Sequence, residues 1–150
     1  MYPQEKNQSI GPEGSELPKI LIIDDDKTWL ERLSESLSSS GYSIYVAENR
    51  SRAVKLLNNE NFNLVTLNIK LSSHEKKSKI ILRWTELLEL IHKKVANIIV
   101  VTSPKEYPPP IEQDRLMTIA FADYKVLDFF LKEEFDENQY RQTVAEALGK

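Results

Sequence analysis

The sequence reads Lys19-Ile-Leu-Ile-Ile-Asp-Asp-Asp26 shortly after a polar start. A short run of β-branched and aliphatic residues that stops at polar residues predicts a strand. A helical pattern begins at once, with apolar residues three and four positions apart at Trp29, Leu30, Leu33 and Leu37. A strand followed directly by an amphipathic helix is the repeating unit of a parallel sheet.

The same alternation continues to the end of the chain. Further strands are predicted at about Tyr42 to Val46, Leu64 to Leu67, Ile98 to Val101 and Leu127 to Leu131. Helical spacing lies between these runs and again after Asp136, where Gln139 follows at the distance of a capping box. Five strands alternating with five helices predict an α/β fold in which helices cover both faces of the sheet.

Length and composition predict one domain. The chain has 150 residues, of which 41% are apolar, and this is the size of a unit with a single core. Residues 1–17 are polar and contain Pro3, Gly11, Pro12 and Gly14, so we expect a flexible leader there and a folded domain over residues 18–150.

Charge and residue usage exclude several functions. The 20 basic and 23 acidic residues give a formal charge of −3, which provides no broad cationic field for nucleic acid. No apolar run approaches the roughly 20 residues of a membrane span, and no secretory signal is recognisable. Because the chain has no cysteine, it has no disulfide or Cys-ligated zinc, and a reducing, cytoplasmic location is predicted.

Polar side chains follow four of the predicted strands. Asp24, Asp25 and Asp26 follow the first, Asn68 the third, Thr102 and Ser103 the fourth, and Lys132 the fifth. The carboxyl ends of parallel strands meet at one edge of a sheet, where such folds bind ligands. We therefore expect these side chains to form one site.

Four stretches resemble the motif blocks of response regulator receiver domains. They are Ile20-Leu-Ile-Ile-Asp-Asp-Asp26, Phe62-Asn-Leu-Val-Thr-Leu-Asn-Ile-Lys-Leu71, Ile98-Ile-Val-Val-Thr-Ser103 and Asp128-Phe-Phe-Leu-Lys132. The resemblance covers about Leu17 to Lys150. It implies the flavodoxin-like three-layer sandwich, with a five-stranded parallel sheet in the order 2-1-3-4-5 and five helices.

The resemblance also implies roles for single residues. Asp24 and Asp25 match the acidic pair that holds Mg²⁺ in the family, and Asn68 occupies the position of the aspartate that accepts phosphate from a histidine kinase. Thr102 and Lys132 match the hydroxyl and the lysine that contact the phosphoryl group. Phe129 matches the aromatic residue that turns inward on activation.

Asn68 departs from the family at the residue that carries the chemistry. A carboxylate can attack a phosphoryl group, whereas a neutral amide is a very weak nucleophile. We therefore predict that ordinary phosphorylation is abolished. The Mg²⁺ site also has one carboxylate fewer than in the family. We therefore expect no cofactor, and no metal ion beyond weak residual Mg²⁺ binding at Asp24 and Asp25.

Other departures surround this edge. Glu133 stands where the family commonly has proline, and the segments Ser72 to Lys79 and Pro104 to Pro110 look like enlarged loops of unassigned role. We expect Lys132 to pair with Asp25. Trp29 and Trp84 lie at helical spacing with aliphatic residues and are predicted to belong to the core.

The leading hypothesis is a pseudo-receiver: a non-enzymatic signalling module that regulates a protein partner by contact. By resemblance, the region Gln113 to Leu148 is the candidate surface for a partner or a homodimer, with no nucleic acid or membrane involved.

Two alternatives remain open. Asp24, Asp26 and Thr28 also fit the D-x-D-x-T signature of haloacid-dehalogenase-like phosphatases, in which Asp24 would be the nucleophile and Asp26 the general acid. The second alternative is a receiver that retains weak binding of a metal ion and of phosphate mimics. Asp24 to Asp26 could also serve only to cap the first helix, but the three other matching blocks favour an inherited site.

Overall fold

The computed structural model describes residues 17–69, 77–103, 118 and 121–149, and of residues 77–85 it describes the backbone alone. The leader apart from Leu17, residues 72–76 of the first predicted loop and all of Pro104 to Pro110 therefore lie outside the described residues, as do the side chain of Trp84 and part of the Gln113 to Leu148 surface. Residues 77–79 of the Ser72 to Lys79 segment are not loop, because they begin a helix.

Five parallel strands form one sheet in the described part of the chain, in the order β2-β1-β3-β4-β5. The strands are β1 (Lys19–Ile23), β2 (Ser43–Ala47), β3 (Leu64–Leu67), β4 (Ile98–Thr102) and β5 (Asp128–Leu131). The order and the flavodoxin-like fold confirm the prediction, and each strand lies within one residue of its predicted bounds. The resemblance to receiver domains implied this strand order, and a helix provides the crossover connection that parallel strands require.

Helices cover both faces of this sheet. They are α1 (Lys27–Leu37), α2 (Arg50–Asn59), α3 (Lys77–Lys94), the helical residues 121–123, here called α4, and α5 (Glu137–Ala147). None of the helices in the described ranges is long and apolar enough to cross a bilayer.

The core has two halves because successive residues of a strand point to opposite faces. In β1, Ile20 and Ile22 pack in the half that contains α1 and α5. Leu21 and Ile23 pack in the other half, which contains α2 and α3. The fold is therefore a three-layer sandwich, and its strands are buried on both sides.

Two helix starts confirm the reading of the sequence. Asp26 caps α1, since its side chain accepts the N–H of Thr28 at 2.9 Å. Asp136 caps α5 by accepting the N–H groups of Asn138 and Gln139. A side-chain cap satisfies backbone donors that the first turn of a helix leaves unpaired.

Candidate functional site

The predicted polar residues meet at the carboxyl edge of the sheet. Strand register aligns Ile23 with Leu67, and Leu67 with Val100. Asp24 and Asn68 therefore follow aligned positions of neighbouring strands, and the N–H of Asn68 donates to the carbonyl of Ile23 at 2.8 Å. Register on the other side aligns Thr102 with Leu131, the residue before Lys132.

Asp24 and Lys132 form a buried ion pair. Nζ of Lys132 lies 2.9 Å from Oδ2 of Asp24, and the two side chains are 7% and 0% exposed. The contact is a charge pair and not a well-directed hydrogen bond. This ion pair links the end of β1 to the end of β5, which are the second and the last strands in the order of the sheet.

The partner of Lys132 is therefore Asp24, and the prediction of Asp25 is wrong. Asp25 is exposed, whereas Asp24 is 1% exposed. A carboxylate withdrawn from water needs a cation more than a hydrated one does, because it has lost the solvation that screens its charge. The buried ammonium consequently pairs with the buried acid.

Burial also sets the ionisation of Asp24. Withdrawal from water raises the pKa of this carboxyl above its ordinary value of 3.8, while the N–H of Asp26 and the Lys132 ammonium lower it by smaller amounts. The N–H of Asp26 donates to Oδ1 at 2.9 Å. Asp24 is thus held by one hydrogen bond and one ion pair, and it still keeps its proton more readily than an exposed aspartate.

Asn68 presents an oxygen that lacks a partner. Its Oδ1 is buried and has no hydrogen-bond partner among the described residues. An amide oxygen carries no formal charge and the amide nitrogen is not basic, so this side chain offers neither an anion nor an effective nucleophile.

Thr102 and Phe129 are both buried behind this edge. Thr102 is 0% exposed, and its hydroxyl donates to the carbonyl of Ile69, the residue after Asn68. Phe129 is 9% exposed and lies in the core, with its ring centroid 6.3 Å from that of Phe121. The hydroxyl is therefore engaged by backbone, and the aromatic ring faces inward.

A contact between Ser103 and Glu133 was missed by the sequence reasoning. The Ser103 hydroxyl donates to Oε2 of Glu133, the residue at the proline position of the family. Glu133 belongs to a short 3-10 helix, Lys132–Glu134. The signal that could have revealed the contact is the register of β4 and β5, which places Ser103 opposite Lys132 and hence beside Glu133.

Trp29 packs against the core, as predicted, and it also borders the site. It is half-buried, and its ring lies 4.5 Å from Cζ of Arg32 and 5.1 Å from Nζ of Lys132. Cations are attracted to the face of an indole ring. With Asp26, Ser103, Lys132 and Glu133, Trp29 lines an open cleft of about 280 Å³.

The residues at this edge are a poor match for a resident metal ion. The described part of the chain contains no group of three or more acidic or histidine side chains arranged to hold one. Asp24 is paired with Lys132, and a neutral amide stands at position 68. The unpartnered Asn68 oxygen is the feature that favours a cation, but one amide oxygen does not replace the carboxylates that Mg²⁺ binding requires.

Comparisons with known proteins agree with this architecture. The sequence profile of the response regulator receiver domain matches residues 20–145. The nisin biosynthesis regulatory protein NisR of Lactococcus lactis subsp. lactis is 27% identical over 117 residues. The match includes 77% of this chain and 46% of NisR, so the chain spans about half the length of that relative.

Solved structures show the same fold. A CheY-like receiver domain protein from Methanospirillum hungatei is 26% identical, with a TM-score of 0.66 over 89% of this chain and 94% of that one. A two-component response regulator from Clostridium difficile is 25% identical, with a TM-score of 0.65 over 89% and 97%. The response regulator TrrA from Thermotoga maritima, solved in complex with Mg²⁺ and BeF, is 24% identical, with a TM-score of 0.62 over 87% and 99%.

Proposed function

Because the chain belongs to the response regulator receiver family, we propose that it is a pseudo-receiver: a two-component signalling module that regulates a protein partner by contact and accepts no phosphoryl group. The observation that carries the proposal is the amide of Asn68 at the carboxyl end of β3, beside the Asp24 and Lys132 pair. In the family, an aspartate at this position is the phospho-acceptor.

The absence of a carboxylate at position 68 removes the chemistry of phosphorylation. Phosphoryl transfer to a receiver needs an anionic oxygen that attacks phosphorus, and the Asn68 amide supplies none. The remaining residues match the family by position: Asp24 and Asp25 as the acidic pair, and Thr102, Phe129 and Lys132 as the switch and phosphate-contact residues. We propose that they serve as a structural network and that the chain is no enzyme.

Mass spectrometry after incubation with acetyl phosphate and Mg²⁺ tests this proposal. We expect the intact mass of the wild type to stay unchanged, because Asn68 cannot form an acyl phosphate. Asn68→Asp should gain the mass of one phosphoryl group, and the matched control Asn68→Ala should gain none. A stable adduct on the wild type that maps to this pocket contradicts the proposal.

The partner surface is proposed from the resemblance and from exposed apolar side chains. Within the region Gln113 to Leu148, Phe121 and Leu127 are 39% and 42% exposed. They are the large apolar side chains that are exposed in the described part of the chain, and exposed apolar surface favours protein contact. We propose that this face, formed by the fourth helix, β5 and α5, binds a protein partner or a second copy of the chain, and that it does so in the cytoplasm, which the lack of cysteine supports.

Analytical ultracentrifugation distinguishes a second copy from another partner. If the face forms a homodimer, Leu127→Lys should weaken self-association at least tenfold, because a charge placed in an apolar contact must be desolvated. Ser51→Lys, which adds the same charge to α2 at an exposed position, should leave association unchanged. A wild type that stays monomeric at high concentration excludes the homodimer.

Weak binding of a phosphate mimic is the alternative that a specific observation favours. Oδ1 of Asn68 is buried and has no hydrogen-bond partner in the described ranges, so it could accept a hydrogen bond or bind a cation. The TrrA structure was solved with Mg²⁺ and BeF. A titration with magnesium and beryllofluoride followed by tryptophan fluorescence tests this, since Trp29 lies 5.1 Å from Nζ of Lys132. The proposed function predicts no saturable change, and a saturable change supports the alternative.

No observation favours the phosphatase hypothesis. Asp26 would be the general acid of such a phosphatase, but its side chain caps α1. Asp24, its nucleophile, is fully buried against Lys132, and α1 begins at Lys27, which leaves three residues after β1.

A further inference from the structure

Lys132 neutralises Asp24 in the way that a bound cation would. Oδ1 of Asp24 accepts the N–H of Asp26 at 2.9 Å, and Oδ2 lies 2.9 Å from the Lys132 ammonium. Both carboxylate oxygens therefore have positively polarised partners. Because the two side chains are 0% and 7% exposed, dissolved ions screen this pair much less than a surface pair.

The backbone at Lys132 is held so that the ammonium stays at Asp24. The next residue, Glu133, accepts the hydroxyl of Ser103 from the end of β4. The 3-10 turn is closed by the N–H of Phe135, which donates to the carbonyl of Lys132 at 3.3 Å. Trp29 adds a cation-π contact to the ammonium, at 5.1 Å.

Asn68 leaves position 68, at the end of β3 beside β1, without a carboxylate that would compete with Asp24 for Lys132. A carboxylate at position 68 would attract the same ammonium and add a second negative charge next to Asp24. With an amide there, Asp24, Asp25 and Lys132 sum to a formal charge of −1. No acidic cluster able to hold a metal exists in the part of the chain that the structure describes.

We propose that Lys132 is a built-in counter-ion that occupies the charge of Asp24 and so excludes a divalent cation from this edge of the sheet. The proposal rests on the proposed pseudo-receiver function and deepens it. Lys132 would then occupy the place at which family members bind a metal ion. The arrangement of this edge in the folded protein would therefore not depend on the Mg²⁺ concentration.

Titration with MgCl₂ tests this proposal on the full chain, with tryptophan fluorescence and the thermal midpoint as the two measurements. We expect the wild type to show no saturable response in the millimolar range. Lys132→Met keeps the length of the side chain but removes its charge, and it should bind Mg²⁺ at least about tenfold more tightly, because Asp24 regains an unneutralised charge. A ligand that binds only the folded state also raises the thermal midpoint.

Lys132→Arg is the matched control and should remain insensitive to Mg²⁺, because it keeps the positive charge. Lys132→Gln provides a second neutral variant if Lys132→Met does not fold, and it is expected to gain the same binding. A wild type that binds Mg²⁺ as tightly as the neutral variants overturns the proposal, as do folded neutral variants that do not bind it. The Mg²⁺ titration does not measure phosphorylation. The mass spectrometry experiment on Asn68 therefore tests the proposed function independently of either outcome.

Discussion

At the scale of single residues, Asp24 is an ionisable side chain that is almost fully buried. Ion pairing in a protein interior seldom recovers the full cost of removing both ions from water. The raised pKa of Asp24 agrees with this balance, because burial outweighs the contributions of Asp26 and Lys132. The charged form of Asp24 is therefore unfavourable to the fold, even with Lys132 beside it.

The pH dependence of stability should reveal this cost. Because the pKa of Asp24 is raised in the folded state, its stabilising contribution is complete below the ordinary value of 3.8 and is lost as the pH rises through the raised pKa. We expect the free energy of unfolding of the wild type, relative to Asp24→Asn, to fall as the pH increases across that range. Urea unfolding at a series of pH values, with a chelator present, measures it. A difference that grows with pH would show that Lys132 outweighs the burial.

At the scale of elements, α5 is attached to the sheet by a buried polar contact. The hydroxyl of Tyr140 and that of Thr66 in β3 lie 2.6 Å apart, and both residues are 0% exposed. Burial raises the pKa of Tyr140 far above its ordinary value, and the contact with Thr66 opposes this only in part. The tyrosine therefore keeps its proton more readily than an exposed one, and its contact with Thr66 links α5 to β3.

Replacing both members of this pair should cost less than the sum of the two single replacements. Tyr140→Phe leaves the Thr66 hydroxyl buried without its partner, and we expect a loss of about 1–3 kcal/mol in the free energy of unfolding. Thr66→Val should have a similar cost. In the double variant neither hydroxyl remains, so its loss should be smaller than the sum of the two. Strictly additive losses in chemical denaturation would mean that the two hydroxyls do not interact.

At the scale of the whole molecule, stability comes from apolar packing on both faces of one sheet. Leu30 of α1 is 0% exposed and packs in the half of the core that contains α5. Leu127 precedes β5 and is 42% exposed. The same side chain therefore occurs in two environments that differ in how much apolar surface folding removes from water.

A pair of identical substitutions measures this difference. Leu30→Ala should reduce the free energy of unfolding by about 2–5 kcal/mol, because it removes buried apolar surface and leaves a cavity. Leu127→Ala should change it by no more than about 0.5 kcal/mol, as expected at an exposed position. Thermal or urea unfolding of both variants provides the measurement. Equal losses would contradict the described burial of one residue or the other.

Much of the fold could be predicted from sequence because its signals are local. The apolar run Ile98 to Val101 and the polar residues directly after each strand are features of short segments, and parallel strands place their carboxyl ends at one edge. The neutrality of Asn68 is likewise a property of one residue. It determines that no carboxylate stands at position 68, whatever the packing around it.

Tertiary structure decided which of these groups interact. Lys132 pairs with Asp24 and not Asp25 because only one of the two neighbouring aspartates is buried. The Ser103 contact with Glu133 joins the ends of two strands, and Trp29 lies at the rim of the site beside Lys132. Such contacts depend on distances between residues far apart in the chain and on how much water each group loses on folding, and neither quantity is contained in the local pattern of residues.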